Sequence, residues 1–233
     1  VRVERTSSDE FGALAEGFND MAGQLQALYQ GLEARVNEKT AELKDKRERL
    51  QTLYEVSTLV THSAALPEMA SGFVARVRHA AHADAAALRW ADGDSQRFVM
   101  LASDGLPEGL ASEEHCIRTG DCHCGISPDQ AGARVIPLHA LAGDSGLHCQ
   151  RAGWSTVVTV PIRLKDRLLG ELDLFFHARY ELSEAERTLL DALTAHLASG
   201  IETLRVNALE KETAVAEERS FIARELHDSI AQS

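Results

Sequence analysis

Close to the C-terminus a histidine and an aspartate stand side by side, His227-Asp228, with Gln232 one helical turn beyond the acid. An imidazole with an ordinary pKa of about 6.5 sheds its proton at neutral pH and leaves one ring nitrogen free to attack an electrophile such as the γ-phosphate of ATP. As that bond forms the other ring nitrogen must release its proton, and a neighbouring carboxylate such as Asp228 can accept it. Asp228 and Gln232 share a face at i, i+4 spacing, so the Gln232 amide could orient a water at the same place. Arg224 and Glu225 flank the pair and could shape docking or charge, although helix-surface duty suits them at least as well. A His-Asp pair on an exposed helix is most often polar surface, and the dipeptide alone carries little weight. It also opens metal phosphohydrolase sites, but those need further His and Asp ligands that this chain does not supply after Asp228.

A second cluster is Cys116-x5-Cys122-x-Cys124 with Cys149 later, accompanied by His115, His123, His139 and His148. Four thiolates suit tetrahedral zinc or an iron-sulfur cluster. Cys122-x-Cys124 is tighter than the C-x2-C knuckle of most zinc sites, so one of that pair could yield its place to a histidine. A redox switch, in which accessible thiols pair under oxidation, is a second use. Incidental loop cysteines weigh about as much as all ligand roles together.

The elements that must carry these groups follow from periodicity. Leu14, Phe18, Met21, Leu25, Leu28 and Leu32 alternate steps of four and three, the seam of a coiled coil that requires a partner helix. The interval from Leu25 to Val36 is eleven, a stutter, after which Val36, Leu43 and Leu50 resume at sevens. Mixed charge from Glu33 to Glu48 reads as a solvated outer face. Pro67 suits the first turn of a helix over 67–82. Strands are expected at 85–90 and 98–102, joined by a turn at 91–94, then at 134–138, and as a hairpin of 156–163 with 167–176 turning at 164–166. The sheet is therefore expected to be antiparallel. Between them, 108–133 is a Gly-, Cys- and His-rich stretch of weak periodicity, the length of loop that is usually functional or mobile. Ser183-Glu-Ala-Glu186 is a capping box, and it opens a helix with Leu189, Leu190, Leu193, Leu197, Ile201 and Leu204 on one face. Leu209, Ala216, Ala223 and Ile230 continue at sevens, so this helix can run unbroken into the segment that bears His227.

Composition narrows the function classes. The 233 residues are 44% apolar and only 5% aromatic, which fits one compact domain with long helical parts. A net charge of −12 argues against direct nucleic-acid contact and against adhesion to an anionic membrane. No run of about 18 apolar residues and no export leader is present in the sequence, so the segment itself is expected to be soluble, with reduced or ligating cysteines. A first residue other than Met and a helical pattern still running at Ser233 suggest an excised segment of a longer protein.

Three stretches carry a resemblance. Asp9-Glu-Phe-Gly-Ala-Leu-Ala-Glu-Gly-Phe-Asn-Asp-Met-Ala22 resembles the second helix of a HAMP linker. Val157 to Phe175 looks like the closing hairpin of a GAF domain. Glu218-Arg-Ser-Phe-Ile-Ala-Arg-Glu-Leu-His-Asp-Ser-Ile-Ala-Gln232 closely resembles the phosphoacceptor helix of histidine kinases with an H-D-x-x-x-Q signature. In that order they resemble NarX-type nitrate/nitrite sensors over nearly the whole chain. The resemblance implies an α+β fold, a GAF-like antiparallel sheet domain flanked by long coiled-coil helices in a parallel homodimer. It implies 1–27 as a C-terminal HAMP helix, 28–65 as a signalling helix, 66–202 as the GAF-like domain and 203–233 as the start of the dimerisation and phosphoacceptor helix. By the same resemblance His227 is the phosphoacceptor, Asp228 the base, and Gln232 the residue that positions water for dephosphorylating a response regulator of the NarL type. The intact protein would be anchored in the inner membrane with this part on the cytoplasmic side. ATP and Mg would bind a domain that this chain lacks, so the segment should not phosphorylate itself unaided. The rival expectation is a GAF-based metal, redox or small-molecule sensor whose input site is Cys116, Cys122, Cys124 and Cys149, holding zinc or an iron-sulfur cluster. A bare dimeric spacer is the third. Nitrate or nitrite as stimulus rests on analogy alone.

Overall fold

The computed structural model describes the backbone of residues 10–92, 97–113, 116–118, 132–138 and 148–231, and side chains of 16–91, 97–112, 132–138, 149–216 and 218. It divides into two units at the Leu50–Gln51 junction. The first unit is helical, the larger part of α1 (Glu10–His62). Its surface is laced by pairs at i, i+3 and i, i+4: Glu42 accepts from Lys39 and from Lys46, each at 2.6 Å, and Asp45 accepts from Arg49 at 2.5 Å. The two lysines, Lys39 first, hold the Glu42 carboxyl well below the usual carboxylate range. The expected seam residues Phe18, Met21, Leu25, Leu28, Leu32, Val36, Leu43 and Leu50 are all exposed, between 47% and 71%. An apolar stripe of this length left bare within one chain is the surface a partner helix covers.

In the second unit the last turns of α1 are followed by α2 (Leu66–Ala80), with Pro67 in its first turn, where the missing N–H costs nothing. A six-stranded antiparallel sheet follows, of β1 (Ala85–Asp92), β2 (Arg97–Asp104), β3 (Cys116–Arg118), β4 (Arg134–Pro137), β5 (Thr156–Leu164) and β6 (Arg167–Phe176), in the order β3-β2-β1-β6-β5-β4. The β5–β6 hairpin closes from Leu164 to Arg167 on two residues, Lys165 and Asp166, with Lys165 in the left-handed region at φ 55°. The last element, α5 (Glu184–Ala231), is a single helix.

The stretch 108–133 holds more order than its weak periodicity suggests. A short helix α3 (Glu108–Glu113) starts directly after Pro107, and β3 adds three residues to the sheet edge against β2. A further helical turn, α4 (His148–Arg151), precedes β5. Such short pieces hold too few residues to show a period.

Strand alternation sends two sets of side chains to opposite faces. One set, with Leu88, Val158, Val160, Ile162, Leu172 and Leu174, packs under Val56 of α1, Met69, Phe73 and Val77 of α2, and Leu190, Leu193, Leu197 and Ile201 of α5. The other set, with Ala85, Ala87, Val157 and Phe175, packs with Leu110, Ile136, Leu138, Cys149 and Trp154.

Candidate functional site

Helix α5 carries His227 and Asp228, and its first turn is tied to the sheet domain. Ser183 donates from its backbone N–H to Oε2 of Glu186 at 2.9 Å, and Glu186 donates back from its N–H to Oγ of Ser183 at 3.3 Å, completing the expected capping box. Glu186 also accepts from the Tyr180 hydroxyl at 2.7 Å, Tyr180 stacks on Phe176 at the end of β6, and its N–H donates to Oγ1 of Thr156 at the start of β5. Burial, then the Glu186 carboxylate, pushes the Tyr180 phenol well above its ordinary value. From the other side Arg187 donates to the carbonyl of Ala133, just before β4, at 2.6 Å.

Beyond Leu204, the last α5 residue against the core, the side chains of 205–216 and 218 are all exposed, among them the apolar Val206, Leu209 and Val215. A bidentate pair, Arg205 to Glu202 at 2.7 and 2.9 Å, marks the point where the helix leaves the domain. At a rise of about 1.5 Å per residue, His227 stands roughly 35 Å along the axis from Leu204. The backbone at His227 and Asp228 is helical. Their side chains, and Gln232 altogether, lie outside the described residues, as do residues 1–9 of the segment expected as a HAMP helix.

The cysteines fall in different places. Cys116 opens β3 opposite Val99, whereas Cys149 in α4 is 1% exposed in the cluster with Leu138 and Trp154. Trp154 stacks on His177 at 4.1 Å and tilts against Phe175 at 5.6 Å. Cys122 and Cys124 lie outside the described residues. Among the described residues no group of three or more His, Cys, Asp or Glu side chains is poised to hold a metal.

The structure adds a polar cluster that the sequence reading did not single out. Ala87, Asp173, Thr159 and Arg134 are directly opposed across β1, β6, β5 and β4, and the next row brings Arg89 opposite Glu171. Arg89, Thr159, Glu171 and Asp173 are each 0% exposed. Nη1 of Arg89 donates to Oδ2 of Asp173 and lies 3.7 Å from Oε1 of Glu171. One guanidinium therefore serves two carboxylates on the sheet face opposite the long helices. Oγ1 of Thr159 and Oδ1 of Asp173 are buried with no hydrogen-bond partner among the described residues. The only sequence signal was the alternation Glu171-Leu-Asp173-Leu, which reads equally well as a strand with one wet face.

The family model of the GAF domain matches residues 65–201, from just before α2 to the middle of α5. The chain belongs to the GAF domain family. Its α+β architecture is that of solved GAF domains: the one from a phosphoenolpyruvate-protein phosphotransferase of Coxiella burnetii aligns with a TM-score of 0.60 at 21% identity, covering 70% of this chain and 98% of that one. Over its full length the chain is 29% identical to the nitrate/nitrite sensor protein NarX of Escherichia coli K12, covering 34% of that protein. The sensor histidine kinase YhcY of Bacillus subtilis is 26% identical over 58% of the chain and 37% of its own length. The chain thus spans about a third of the length of these relatives, and it is a NarX-like segment built around a GAF domain. No described helix is long and apolar enough to cross a membrane.

Proposed function

We propose that this chain is the signal-relaying core of a dimeric two-component sensor histidine kinase, in which His227 accepts a phosphoryl group from ATP. The observation that carries this reading is the unbroken course of α5, locked at its start to the GAF sheet and bearing His227 near its end. A neutral ring nitrogen attacks the γ-phosphorus, the bond to ADP breaks, and the proton of the other nitrogen passes to the Asp228 carboxylate. Gln232 aligns water for the reverse control, dephosphorylation of a NarL-type response regulator. ATP and Mg bind a separate catalytic domain of the whole protein, which is anchored in the inner membrane with this part on its cytoplasmic side. Residues 1–27 complete a HAMP bundle, 28–65 form the signalling coiled coil, 66–202 the GAF domain and 203–233 the beginning of the dimerisation helix. The bare stripe on α1 and Val206, Leu209 and Val215 on α5 supply the seams of the parallel homodimer. Phosphotransfer in the completed receptor, native against His227→Gln, tests the reading. Acid-labile, base-stable label on the native protein alone supports it, and equal label on both proteins overturns it.

A second reading is favoured by the buried cluster around Arg89 and by the cysteines: the GAF domain is itself an input site, for a small molecule at the cluster or for zinc or an iron-sulfur cluster at Cys116, Cys122, Cys124 and Cys149. Metal analysis and absorption spectra of anaerobically purified protein test the metal arm. Absence of metal together with unchanged signalling after four-Ser replacement removes it.

A further inference from the structure

Among the described residues the exposed large apolar side chains fall in two runs, from Phe18 to Tyr54 on α1 and from Val206 to Val215 on α5, and none lies between them. The break has a cause in the packing. Beyond Tyr54 the apolar residues of α1 turn to its own domain: Val56 is fully buried, and Leu59 and Val60 pack on the same core. On α5, Leu190, Leu193, Leu197, Ile201 and Leu204 do likewise. A helix that gives its one apolar stripe to its own domain presents a polar face outward. That face carries Thr58 and Thr61 on α1 and Asp191, Ala195, Ser199 and Thr203 on α5, all exposed. The hydroxyls of Thr61, Ser199 and Thr203 each donate to the carbonyl four residues back in their own helix, at 2.8, 3.1 and 2.9 Å. A copy of the chain laid against this band would cover small side chains and the Asp191 carboxylate, with no large apolar group to offset the desolvation.

The two helices cross between the runs. Gly200 of α5 lies against Val60 of α1, so close that a Cβ on the glycine would overlap Cγ1 of Val60. Tyr54 stands six residues before Val60 and Val206 six residues after Gly200, roughly 9 Å along either helix. Both apolar runs therefore stop within two turns of one contact. Charge points to a second copy as their cover. The chain carries −12 overall and would repel itself, whereas the α1 flank from Glu33 to Arg49 holds six basic and five acidic residues and offers a copy almost no net repulsion.

We infer that the seam of the homodimer changes helices inside this domain. Two copies meet along α1 as far as Tyr54, part where α1 and α5 serve their own cores, and meet again along α5 from Val206, with the exchange at the Val60–Gly200 crossing. The inference rests on the homodimer of the first reading and says where its contacts stop and resume.

Oxidative cross-linking of the 233-residue chain tests it. In a two-fold pair a seam residue faces its own copy, so one introduced cysteine suffices. Leu50→Cys, Tyr54→Cys, Val206→Cys and Leu209→Cys sample the two runs, and Thr61→Cys, Ala195→Cys and Ser199→Cys the band between them. All seven positions are exposed, so no change empties the core. The unchanged chain controls for the four native cysteines, and peptide mapping of the linked product identifies the bridge. Because a disulfide forms only over a short Cα separation, the four seam variants should link at least about ten times faster than the other three. Band cysteines that link as fast as Leu209→Cys mean one continuous interface and overturn the inference. Failure of Val206→Cys and Leu209→Cys to link while Leu50→Cys does so also overturns it, and in both cases the homodimer stands. If no variant links and sedimentation at the same concentration gives the mass of one chain, the homodimer reading falls and the inference with it.

Discussion

Where α1 passes α5 the two helices meet through a glycine, and that contact yields a measurable forecast. A Cβ added at Gly200 would overlap Cγ1 of Val60 and lie 3.2 Å from Sδ of Met69. The methionine can swing away, but a β-branched valine in a helix is held to one rotamer about 90% of the time. Gly200→Ala therefore sets two effects against each other. Helix propensity improves by about 1 kcal/mol, while overpacking against a stiff neighbour costs about 1–3 kcal/mol. With Val60 unable to yield, the upper half of that range applies and the net loss is about 1–2 kcal/mol. That corresponds to a fall in Tm of roughly 2–8 °C for a unit of this size. Val60→Ala alone removes half-buried methyl groups and costs about 1 kcal/mol. In the double variant the overlap is gone and the propensity gain remains. It should be more stable than the sum of the single changes predicts by about 2–3 kcal/mol, the overpacking cost that is relieved. Urea unfolding at matched protein concentration reads all four corners of the cycle, the concentration being fixed because association of chains would add to stability. The reasoning is refuted if Gly200→Ala equals or exceeds the native stability, or if the two changes simply add.

Removing the cap hydroxyl with Ser183→Ala leaves the Glu186 amide without its partner and should lower stability by about 1 kcal/mol, read by the same unfolding curves. Tyr180 has its pKa raised by burial and by the Glu186 carboxylate, so its contribution is complete below the unfolded phenol value of about 10 and disappears as pH rises through the folded value. Native protein should accordingly lose stability above about pH 10 faster than Tyr180→Phe does, with one phenol missing from the ordinary alkaline absorbance step near that pH. Arg89→Met strands Asp173 and Glu171 in the sheet interior and should cost about 3–5 kcal/mol, whereas changing all three residues together to apolar ones of similar volume should recover most of it. If Arg89→Met is no worse than the triple change, the buried charges are not coupled in the way their geometry indicates.

What the sequence disclosed and what it concealed differ by range. The capping box at Ser183 and the helical course of α1 and α5 are local patterns, each decided by residues within a turn or two, and they were legible in the sequence, whereas the hairpin turn was expected at 164–166 and closes one residue tighter, on Lys165 and Asp166. The Arg89 cluster was not, because its burial depends on β1 pairing with β6, an association between Ala87 and Asp173 that no local period encodes. Alternating Glu171 and Asp173 look like the wet side of a hairpin until the strand proves to be central and its second face covered by Leu110, Leu138 and Trp154. His227 and Asp228 stand out in the sequence for a different reason, as neighbours in a short motif on one helix, with no distant strand pairing needed to bring them together. The same contrast has a mechanical consequence. A change in the packing of β5 and β6 meets α5 through the hydrogen bonds of 3.3 and 2.7 Å that join Thr156, Tyr180 and Glu186, and through Leu190, Leu193 and Leu197 packed on the same strands. Among the described side chains those of 205–216 and 218 are exposed, and α5 runs without a break to Ala231, so the proposed relay would turn a change at its root into a displacement at its far end.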